Sequence, residues 1–486
     1  MSLDLSLLTP ELGVLALALL VFLGDLFTKD GQSKRFLGWL CAAGFAGLLI
    51  YVLSLPAVDP KGVISAFGGM FQADGLARVF KVLFLSGALL ASLASIDYLD
   101  NKGVRWQGEY YLLLTLVTAA MMVMASAGDL LTLYVALEFN SLGFYALVSI
   151  LKGRSLVSSE AGIKYLLLGS LASALLLYGI SIVYGLAGTL SLPGLFVWAQ
   201  AAGMTPAFSI ALLLLVAGFS FKISLAPFHM WSPDVYQAAP TPITSYLSVG
   251  SKAAGFAAII RLFPGVFQSQ HAIWVHLFMV LMILTFVWAN VVALKQRDLK
   301  RLLAYSSVSQ AGYLMIGIIA GTTMGLHAVL FYSLVYLFTN MAGFQVAQLL
   351  EAEGTGGEIA GFAGLATRSP GLALAMMTSV LSLAGIPPFA GFFGKYYLFA
   401  AGMQAGLAAD RYWLIGLVGF AVVMSIVALF YYLVVVKEMY IEPAHNDKPV
   451  AVPLAAKIAL SISCFMVLAM GVYPTPFLDW LKQALQ

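Results

Sequence analysis

The chain has 486 residues, of which 61% are hydrophobic and only 10% are charged, with a formal net charge of +3. A sequence this apolar would expose large hydrophobic patches in water, which excludes a soluble globular protein. The net charge says little by itself, and we expect no nucleic-acid partner.

Apolar segments follow one another along the whole chain. A helix that crosses a bilayer needs about 20 mostly apolar residues, because its backbone must satisfy its own hydrogen bonds in lipid. The sequence therefore predicts an all-α integral membrane protein with about 14 transmembrane helices, numbered here as spans 1 to 14. The predicted spans are 8–28, 35–55, 79–98, 109–126, 129–151, 161–186, 207–226, 243–263, 272–294, 299–320, 324–350, 369–386 with 391–402, 412–437 and 454–473.

Basic residues between the spans orient the chain, because Lys and Arg are enriched on the inner side of membranes. Placing both termini on the outer side puts most Lys and Arg at the inner face. Three basic residues then fit neither face, namely Lys222, Lys252 and Lys395. The outer face receives Lys61, Arg78, Lys81, Arg261, Arg411 and Lys482.

Two apolar helices are interrupted by proline, span 7 in "SFKISLAPFHMW" and span 12 in "SLAGIPPFAGFFGKYYLF". Each break has a lysine within about two turns. If spans 4 to 8 and 9 to 13 form two units, each break falls in the fourth helix of its unit, and the odd number of helices inverts the second unit. Inverted repeats with matching broken helices are typical of membrane transporters, although Pro and Gly are common in membrane helices in general.

This reading divides the chain into four parts. They are an N-terminal three-helix segment, a first five-helix repeat, a second and inverted five-helix repeat, and the C-terminal span 14. The predicted boundaries are 1–106, 107–265, 266–440 and 441–486.

Charged residues also occur deep inside predicted spans. Glu138 lies in the middle of span 5, and Lys252 lies well inside span 8. A charge at the bilayer centre costs about 2.5 to 3.5 kcal/mol on insertion scales, so such residues usually face a polar interior. Because buried lysines can titrate near neutral pH, Lys222, Lys252 and Lys395 are predicted to carry protons, with Glu138 as the opposite charge.

Two further residues allow two interpretations each. Lys164 lies about one turn into span 6, where it could couple to Glu138 or extend to the inner interface. His229 lies in the break of span 7, where it could relay protons or make a capping or loop hydrogen bond. The remaining histidines tested for metal-ligand spacing lack it and are predicted to be structural or interfacial, namely His271, His276 and His327.

No motif for redox chemistry is present in the sequence: there is no Cys-x-x-Cys pair, no G-x-G-x-x-G after a strand and no Walker sequence. We therefore predict no metal and no bound cofactor on this chain.

Three long motifs resemble a known family: "FKISLAPFHMWSPDVYQAAPTPITSYLSVGSKAAG", "KQRDLKRLLAYSSVSQAGYLMIG" and "LSLAGIPPFAGFFGKYYLF". They resemble the antiporter-like membrane subunits of respiratory complex I, the proton-pumping NADH-quinone oxidoreductase, and of multisubunit cation/proton antiporters. Within that family, "PFHMWSPDVYQAAP" resembles one particular subunit among three sisters.

The resemblance implies a proton-translocating membrane-arm subunit, which acts as part of an oxidoreductase and has no redox site of its own. It assigns Glu138 and Lys164 to a charge pair, Lys222 to the proton site of span 7, Lys252 to a central relay and Lys395 to an exit site. Apart from His327 at its start, span 11 lacks the further lysine or histidine, facing the axis, that sister subunits often carry. Bound water would therefore bridge Lys252 to Lys395 with the help of Tyr332, Tyr336, Thr339 and Asn340.

The same resemblance implies that FMN, iron-sulfur clusters and quinone are bound by other subunits. The expected partners are the other membrane subunits of complex I, especially the K-like and M-like neighbours, together with lipid, protons and water. The expected location is a bacterial inner membrane, with both termini periplasmic. Two alternatives stay open, namely a subunit of a sodium/proton antiporter or membrane-bound hydrogenase-type complex, and a purely structural subunit whose lysines carry nothing.

Overall fold

The computed structural model describes residues 5–29, 32–56, 64–151, 156–354, 357–444 and 447–485. Within these ranges, 13 helices are long and apolar enough to cross a membrane. Span 12 adds a fourteenth crossing, divided into the helices Pro370–Ala384 and Ala390–Ala408. The predicted all-α membrane architecture is confirmed.

The other spans lie close to their predicted positions. Spans 1 to 11 are Leu5–Leu26, Arg35–Ser54, Gly75–Asn101, Gln107–Ala125, Leu130–Val148, Leu156–Ala187, Pro206–Ile223, Thr241–Val266, Gln268–Ala293, Leu299–Ala320 and Thr323–Ala352. Spans 13 and 14 are Tyr412–Tyr440 and Leu454–Val472.

Short elements connect and flank the spans. An antiparallel hairpin pairs strand β1 (Ile64–Ala66) with strand β2 (Phe71–Ala73). Short α-helices cover Leu192–Ala201, Trp231–Ala238, Leu365–Arg368 and Thr475–Leu485. Single 3-10 turns cover Leu5–Leu8, Phe67–Gly69, Gln268–Gln270 and Ile359–Phe362, and two π-helical segments within span 8 cover Leu247–Ser251 and Arg261–Val266.

Several helices begin where a short acidic side chain accepts hydrogen bonds from backbone N–H groups that the helix cannot satisfy itself. The Asp129 carboxylate accepts from the N–H groups of Leu131 and Thr132 at 2.8 and 2.9 Å, at the start of span 5. The Asp298 carboxylate accepts from the N–H of Arg301 at 2.8 Å, at the start of span 10. These polar caps fix the ends of spans whose remaining residues are mostly apolar.

Both predicted interruptions are present. The first helix of span 7 is followed by Ser224, which has a left-handed backbone with φ of 61°, and the first helix of span 12 is followed by Gly385, with φ of 87°. The chain then turns at Pro227 and at Pro387 and Pro388, where a continuous helix would lack a backbone N–H donor. The discontinuous helices 7 and 12 are confirmed, whereas the four-part division and the inverted repeat stay predictions.

Spans 8, 10 and 11 form the centre of the bundle. In each of these three spans, every residue of the most apolar 18-residue stretch is buried, and span 3 is nearly as enclosed. Spans 1, 2, 6, 9 and 13 lie at the periphery, where much of their apolar surface is exposed. The charges predicted inside spans 7, 8 and 12 therefore lie next to a core that is closed off from lipid.

Two basic residues predicted at the outer face are buried instead. The Lys81 Nζ lies 2.8 Å from a carboxylate oxygen of Glu11, and the Arg261 guanidinium lies 2.8 Å from Asp74. Both side chains point into the protein, because a neighbouring segment supplies a carboxylate there. A count of basic residues on each side of the membrane does not predict such a partner. Lys61 lies outside the described residues.

Candidate functional site

Lys222 lies in the last turn of the first helix of span 7, and its side chain is buried. Its Nζ donates a hydrogen bond to the hydroxyl of Ser141 on span 5 at 2.9 Å. Glu138 lies one turn earlier on span 5 and accepts a short hydrogen bond from the hydroxyl of Ser173 on span 6. Residues three apart share one face of a helix, so Glu138 and the serine that binds Lys222 lie on the same side of span 5.

Lys164 does not form the predicted pair with Glu138. Its half-exposed ammonium group lies 2.8 Å from Glu160 and 3.1 Å from Asp234. Asp234 also accepts from Arg301 at 2.8 Å. Glu138 contacts span 6 about 13 Å further along the helix axis, which is too far for a direct ion pair with Lys164. A coupling of Lys164 to Glu138 without direct contact stays a prediction.

Span 8 brings the second buried lysine close to the first. The side-chain amide of Asn140 on span 5 donates to the hydroxyl of Ser251 at 3.4 Å, and Ser251 directly precedes Lys252. Gly255 lies against Lys222, since a Cβ atom at this glycine would be 3.2 Å from the lysine Cγ. A larger residue would push span 8 away from Lys222.

Lys252 is buried at the point where the π-helical segment Leu247–Ser251 ends. Its Nζ donates to the hydroxyl of Ser307 on span 10 at 2.5 Å and lies 5.6 Å from the ring centroid of Tyr236. A cavity of about 10 Å³ adjoins Lys252, Ser307 and Tyr336. This is at the lower limit of the space that a single water molecule needs.

Lys395 is buried in the second helix of span 12. Its Nζ donates to the hydroxyl of Ser425 at 2.8 Å and to the carbonyl of Ala384 at 3.2 Å, and lies 4.6 Å from the ring centroid of Tyr313. Ala384 is the last residue of the first helix of span 12, where carbonyl groups lack helical partners and carry partial negative charge. The break thus supplies an acceptor for the lysine.

The residues predicted to bridge Lys252 and Lys395 have polar partners. The Asn340 amide donates to the Ser248 hydroxyl at 2.5 Å and to the Tyr336 hydroxyl at 3.1 Å. Thr339 and Ser382 share a hydrogen bond of 3.0 Å beside the break of span 12. Span 11 therefore contacts both the Lys252 side and the Lys395 side of the core.

Gln310 on span 10 completes this connection. Its side-chain oxygen accepts from the Tyr332 hydroxyl at 2.5 Å, and its amide nitrogen donates to the Leu383 carbonyl at 3.2 Å and to the Tyr432 hydroxyl at 3.3 Å. Gln310 lies one turn after Ser307, the partner of Lys252. Polar groups of span 10 thereby extend from Lys252 to the break that holds Lys395.

Sequence reasoning did not single out these polar residues of span 10. Ser306 shares a 2.5 Å hydrogen bond with the Tyr432 hydroxyl, and Ser309 accepts from Asn290 at 3.2 Å. The string "AYSSVSQAGY" was the available signal, because four polar residues fall within five positions of a helix that is buried throughout.

His229 is buried, and its ring packs edge-on against Trp288 and Tyr305. Both ring nitrogens lack a hydrogen-bond partner among the described residues, as do the hydroxyls of Ser232 and Tyr236. The expected loop hydrogen bond is therefore not seen in the described part of the chain. These residues recur at a helical spacing on one face, and buried polar groups without protein partners commonly bind water.

The other histidines make local contacts. His271 Nε2 lies 3.2 Å from the Ile319 carbonyl, and His276 Nδ1 makes a short contact with the Ala272 carbonyl in its own helix. No group of three or more His, Cys, Asp or Glu residues suited to a metal ion occurs within the described ranges.

Together these contacts form a row of separated proton-binding groups. Glu138, Lys222, Lys252 and Lys395 each bond to the hydroxyl of a different serine, and the three lysines have no ion-pair partner within the described ranges. Hydroxyl groups both donate and accept hydrogen bonds, so they can accommodate either protonation state of an adjacent amine. The arrangement can pass protons along the core where water fills the remaining gaps.

Residues 127–425 match the family described as "NADH:quinone oxidoreductase/Mrp antiporter, TM". The matched range contains all the residues of the row, from Glu138 to Lys395. A relative from Moorella thermoacetica named NADH-quinone oxidoreductase subunit N is 42% identical over 98% of this chain and 97% of its own.

Solved structures agree with this assignment. A chain of respiratory complex I from Thermus thermophilus with bound aureothin is 32% identical, with a TM-score of 0.78 over 97% of this chain and 99% of that one. A chain of the archaeal membrane-bound sulfane sulfur reductase is 25% identical, with a TM-score of 0.83 over 99% of this chain and 97% of that one. The fold, the matched range and the full-length relatives show that this chain belongs to the NADH:quinone oxidoreductase/Mrp antiporter family of multi-pass membrane subunits, and within it to subunit N of the NADH-quinone oxidoreductases.

Proposed function

We propose that this chain carries protons across the membrane as a subunit of an NADH-quinone oxidoreductase, with Glu138, Lys222, Lys252 and Lys395 as the groups that hold them. Quinone reduction elsewhere in the complex drives the transfer. The observation that carries this proposal is the difference between these lysines and every other buried basic residue that the structure describes.

Eight lysine and arginine side chains are buried in the described ranges. Three of these, Lys222, Lys252 and Lys395, have no ion-pair partner there and contact hydroxyl, carbonyl or aromatic groups. The other five form ion pairs, which are Lys34 with Asp25, Lys81 with Glu11, Arg261 with Asp74, Lys300 with Glu351 and Arg368 with Glu353.

This difference bears directly on proton transfer. A buried ion-paired lysine that lost its proton would leave an uncompensated carboxylate, which costs about 3 to 5 kcal/mol. A lysine held by hydroxyl groups leaves no such charge behind. The unpaired lysines can therefore alternate between charged and neutral forms at lower cost than the paired ones.

The proposed sequence of steps begins at Glu138. A change of charge next to this carboxylate, caused by quinone reduction in the complex, alters its attraction for the proton on Lys222. That proton moves past Asn140 and Ser251 to Lys252. From Lys252 it continues along the polar side of span 10 to Lys395 and leaves from there. Water fills the gaps between these groups.

Lys164 takes a secondary place in this scheme. Its ammonium group is bound to Glu160 and Asp234, so it influences the row through Asp234 and Arg301 and not through a pair with Glu138. His229 lies near Lys252, and its ring nitrogens, which have no partner among the described residues, provide binding sites for water.

The rest of the assignment extends the family membership. We place the chain in a bacterial inner membrane with both termini periplasmic, between K-like and M-like neighbours. FMN, iron-sulfur clusters and quinone are bound by other subunits, and this chain holds none of them.

The test is proton pumping by assembled complex carrying Lys222→Ala. Pumping per quinone reduced is expected to fall at least about tenfold, since a positioned proton-transfer group typically contributes more than that. Lys34→Met is the matched control, because Lys34 is also buried but paired with Asp25 and lies outside the row. Unchanged pumping by Lys222→Ala in fully assembled complex would contradict the proposal and favour a purely structural subunit.

A sodium/proton antiporter subunit would use the same residues, so the transported ion needs its own measurement. We expect pumping by vesicles to persist when sodium is replaced by choline. A strict requirement for sodium would favour the antiporter alternative.

A further inference from the structure

An open polar pocket lies at the predicted inner face, between the ends of spans 2, 3, 11 and 14, and the row of proton-binding groups does not include it. Its volume is about 560 Å³. Charged residues line it on several sides, namely Arg35, Asp97, Lys102, Glu351 and Glu353.

Glu351 connects this pocket to the core. Its carboxylate accepts from the Thr241 hydroxyl at 2.6 Å and lies 3.5 Å from the Lys300 Nζ. The Glu351 side chain is 22% exposed, whereas the Lys300 side chain is 5% exposed and Thr241 is fully buried. The carboxylate thus lies at the boundary between the open pocket and the closed core.

A column of polar side chains runs inward from this boundary along span 8. Thr241, Ser245, Ser248 and Lys252 follow one another at intervals of three or four residues, and all are buried. This spacing keeps them on one side of the helix. The column begins at Glu351 and ends at the central lysine of the row.

Spans 10 and 11 line the same column. On span 11, Glu351 and Asn340 are eleven residues apart, about three full turns, and so face the same way. Asn340 contacts Ser248 on span 8. On span 10, Lys300 and Ser307 are seven residues apart on one face, and Ser307 binds Lys252.

Both ends of the column are therefore closed by hydrogen bonds, and its middle is long enough to need water. Eleven residues of span 11 rise about 16 Å, or about six hydrogen-bonded links of 2.8 Å. Asn340, which bonds to Ser248, and Tyr236, whose ring lies beside Lys252, each carry a buried oxygen with no partner among the described residues. These are the groups at which bridging waters would bind.

We infer that Glu351 is the group that takes up protons from the inner side for Lys252. The inference rests on the proposed function. The carboxylate accepts a proton from water in the pocket and becomes a neutral carboxylic acid. It then releases that proton through Thr241 and the bridging waters to the neutral amine of Lys252, which becomes an ammonium group, and the carboxylate is restored.

The charges that face Glu351 suit this role. Lys300 contacts it from span 10, and Lys102 and Tyr98 face it from span 3. Across the pocket lie Asp97, Arg35 and Glu353, with Glu353 paired to Arg368. Positive charges on two sides keep the carboxylate ionised between uptake events.

The experiment compares Glu351→Gln, Glu351→Asp and Glu353→Gln in assembled complex, measuring proton pumping between about pH 6 and about pH 9. Glutamine keeps the hydrogen bond from Thr241 but cannot take up a proton, whereas aspartate keeps the acid. Glu353→Gln is the matched control, because it removes a neighbouring pocket carboxylate that is paired elsewhere.

We expect Glu351→Gln to slow pumping about tenfold at the alkaline end and much less at the acidic end, because a proton collector matters most where protons are scarce. Glu351→Asp should recover most of the rate, and Glu353→Gln should match the native protein at every pH.

Two results would overturn the inference. One is native pumping by Glu351→Gln. The other is an equal loss in Glu351→Gln and Glu351→Asp at all pH values, which would assign Glu351 only to holding Lys300. Neither result contradicts the proposed function if Lys222→Ala still lowers pumping at least about tenfold. Normal pumping by Lys222→Ala would contradict the proposed function itself.

Discussion

Replacing Lys395 with arginine separates the charge of this residue from its ability to release a proton. The native ammonium group is held by the Ser425 hydroxyl, the Ala384 carbonyl and the ring of Tyr313. All three also bind a guanidinium group, which is a planar cation with several donors. Lys395→Arg should therefore assemble and keep the positive charge at the break of span 12.

The expected loss follows from the proton affinities of the two side chains. Arginine in water has a pKa at least about 2 units above that of lysine, and each unit corresponds to about 1.4 kcal/mol. The neutral form of the side chain is therefore at least about a hundredfold rarer with arginine in the same surroundings. If transfer through this site requires the neutral form, pumping should fall by a similar factor.

The assay is proton uptake by membrane vesicles during quinone reduction, with the amount of assembled complex measured on a native gel. Lys437→Arg is the matched control, because Lys437 is an exposed lysine paired with Glu442 and lies outside the row. Full pumping by Lys395→Arg would refute the reasoning, since a residue that cannot lose its proton would then suffice.

Three other variants test separate parts of the account. Gln310→Leu removes the hydrogen bond between span 10 and the break of span 12, so proton pumping should slow about tenfold, the equivalent of about 1.4 kcal/mol. The amount of assembled complex on a native gel should stay unchanged. An unaffected pumping rate would exclude this route. Lys164→Ala breaks only half-exposed ion pairs, so its pumping rate should fall far less than that of Lys222→Ala. An equal loss would show that Lys164 is as important for proton transfer as Lys222. Lys81→Met leaves the Glu11 carboxylate buried without its cation, so thermal unfolding of the complex should show a destabilisation of about 3 to 5 kcal/mol. Adding Glu11→Gln removes that unpaired charge and should largely restore the stability.

Patterns that depend on local sequence were predicted well. The apolar runs located the spans, because any helix in lipid must be long and apolar whatever its neighbours are. The breaks at Pro227 and at Pro387 and Pro388 could be located because proline removes a backbone donor wherever it stands. The burial of Lys222, Lys252 and Lys395 followed from counting charges against the topology.

Patterns that depend on which helices pack together were predicted poorly. Lys164 has a long side chain near a helix end, and besides Glu160 in its own helix it binds Asp234, which lies 70 residues further along the chain. Lys81 is a comparable case, since Glu11 on a distant part of the chain holds it inside the bundle. No local signal names such a partner.

The polar residues of span 10 were not predicted as part of the site, for a different reason. Serine and glutamine are common enough in membrane helices that Ser307 and Gln310 drew no attention beside the charged residues. Their role emerges only when spans 8, 11 and 12 are packed around span 10, which puts Ser307 against Lys252 and Gln310 against the Leu383 carbonyl.

The central claim is that water and side chains connect Glu138, Lys222, Lys252 and Lys395 through the core. It is tested most directly by an experimental structure of the assembled complex at a resolution that shows ordered water. We predict ordered water molecules bound to His229 and Asn340, and others between Ser307 and Lys395, in at least one turnover state. A dry, apolar gap between Lys252 and Lys395 in every state observed would contradict it.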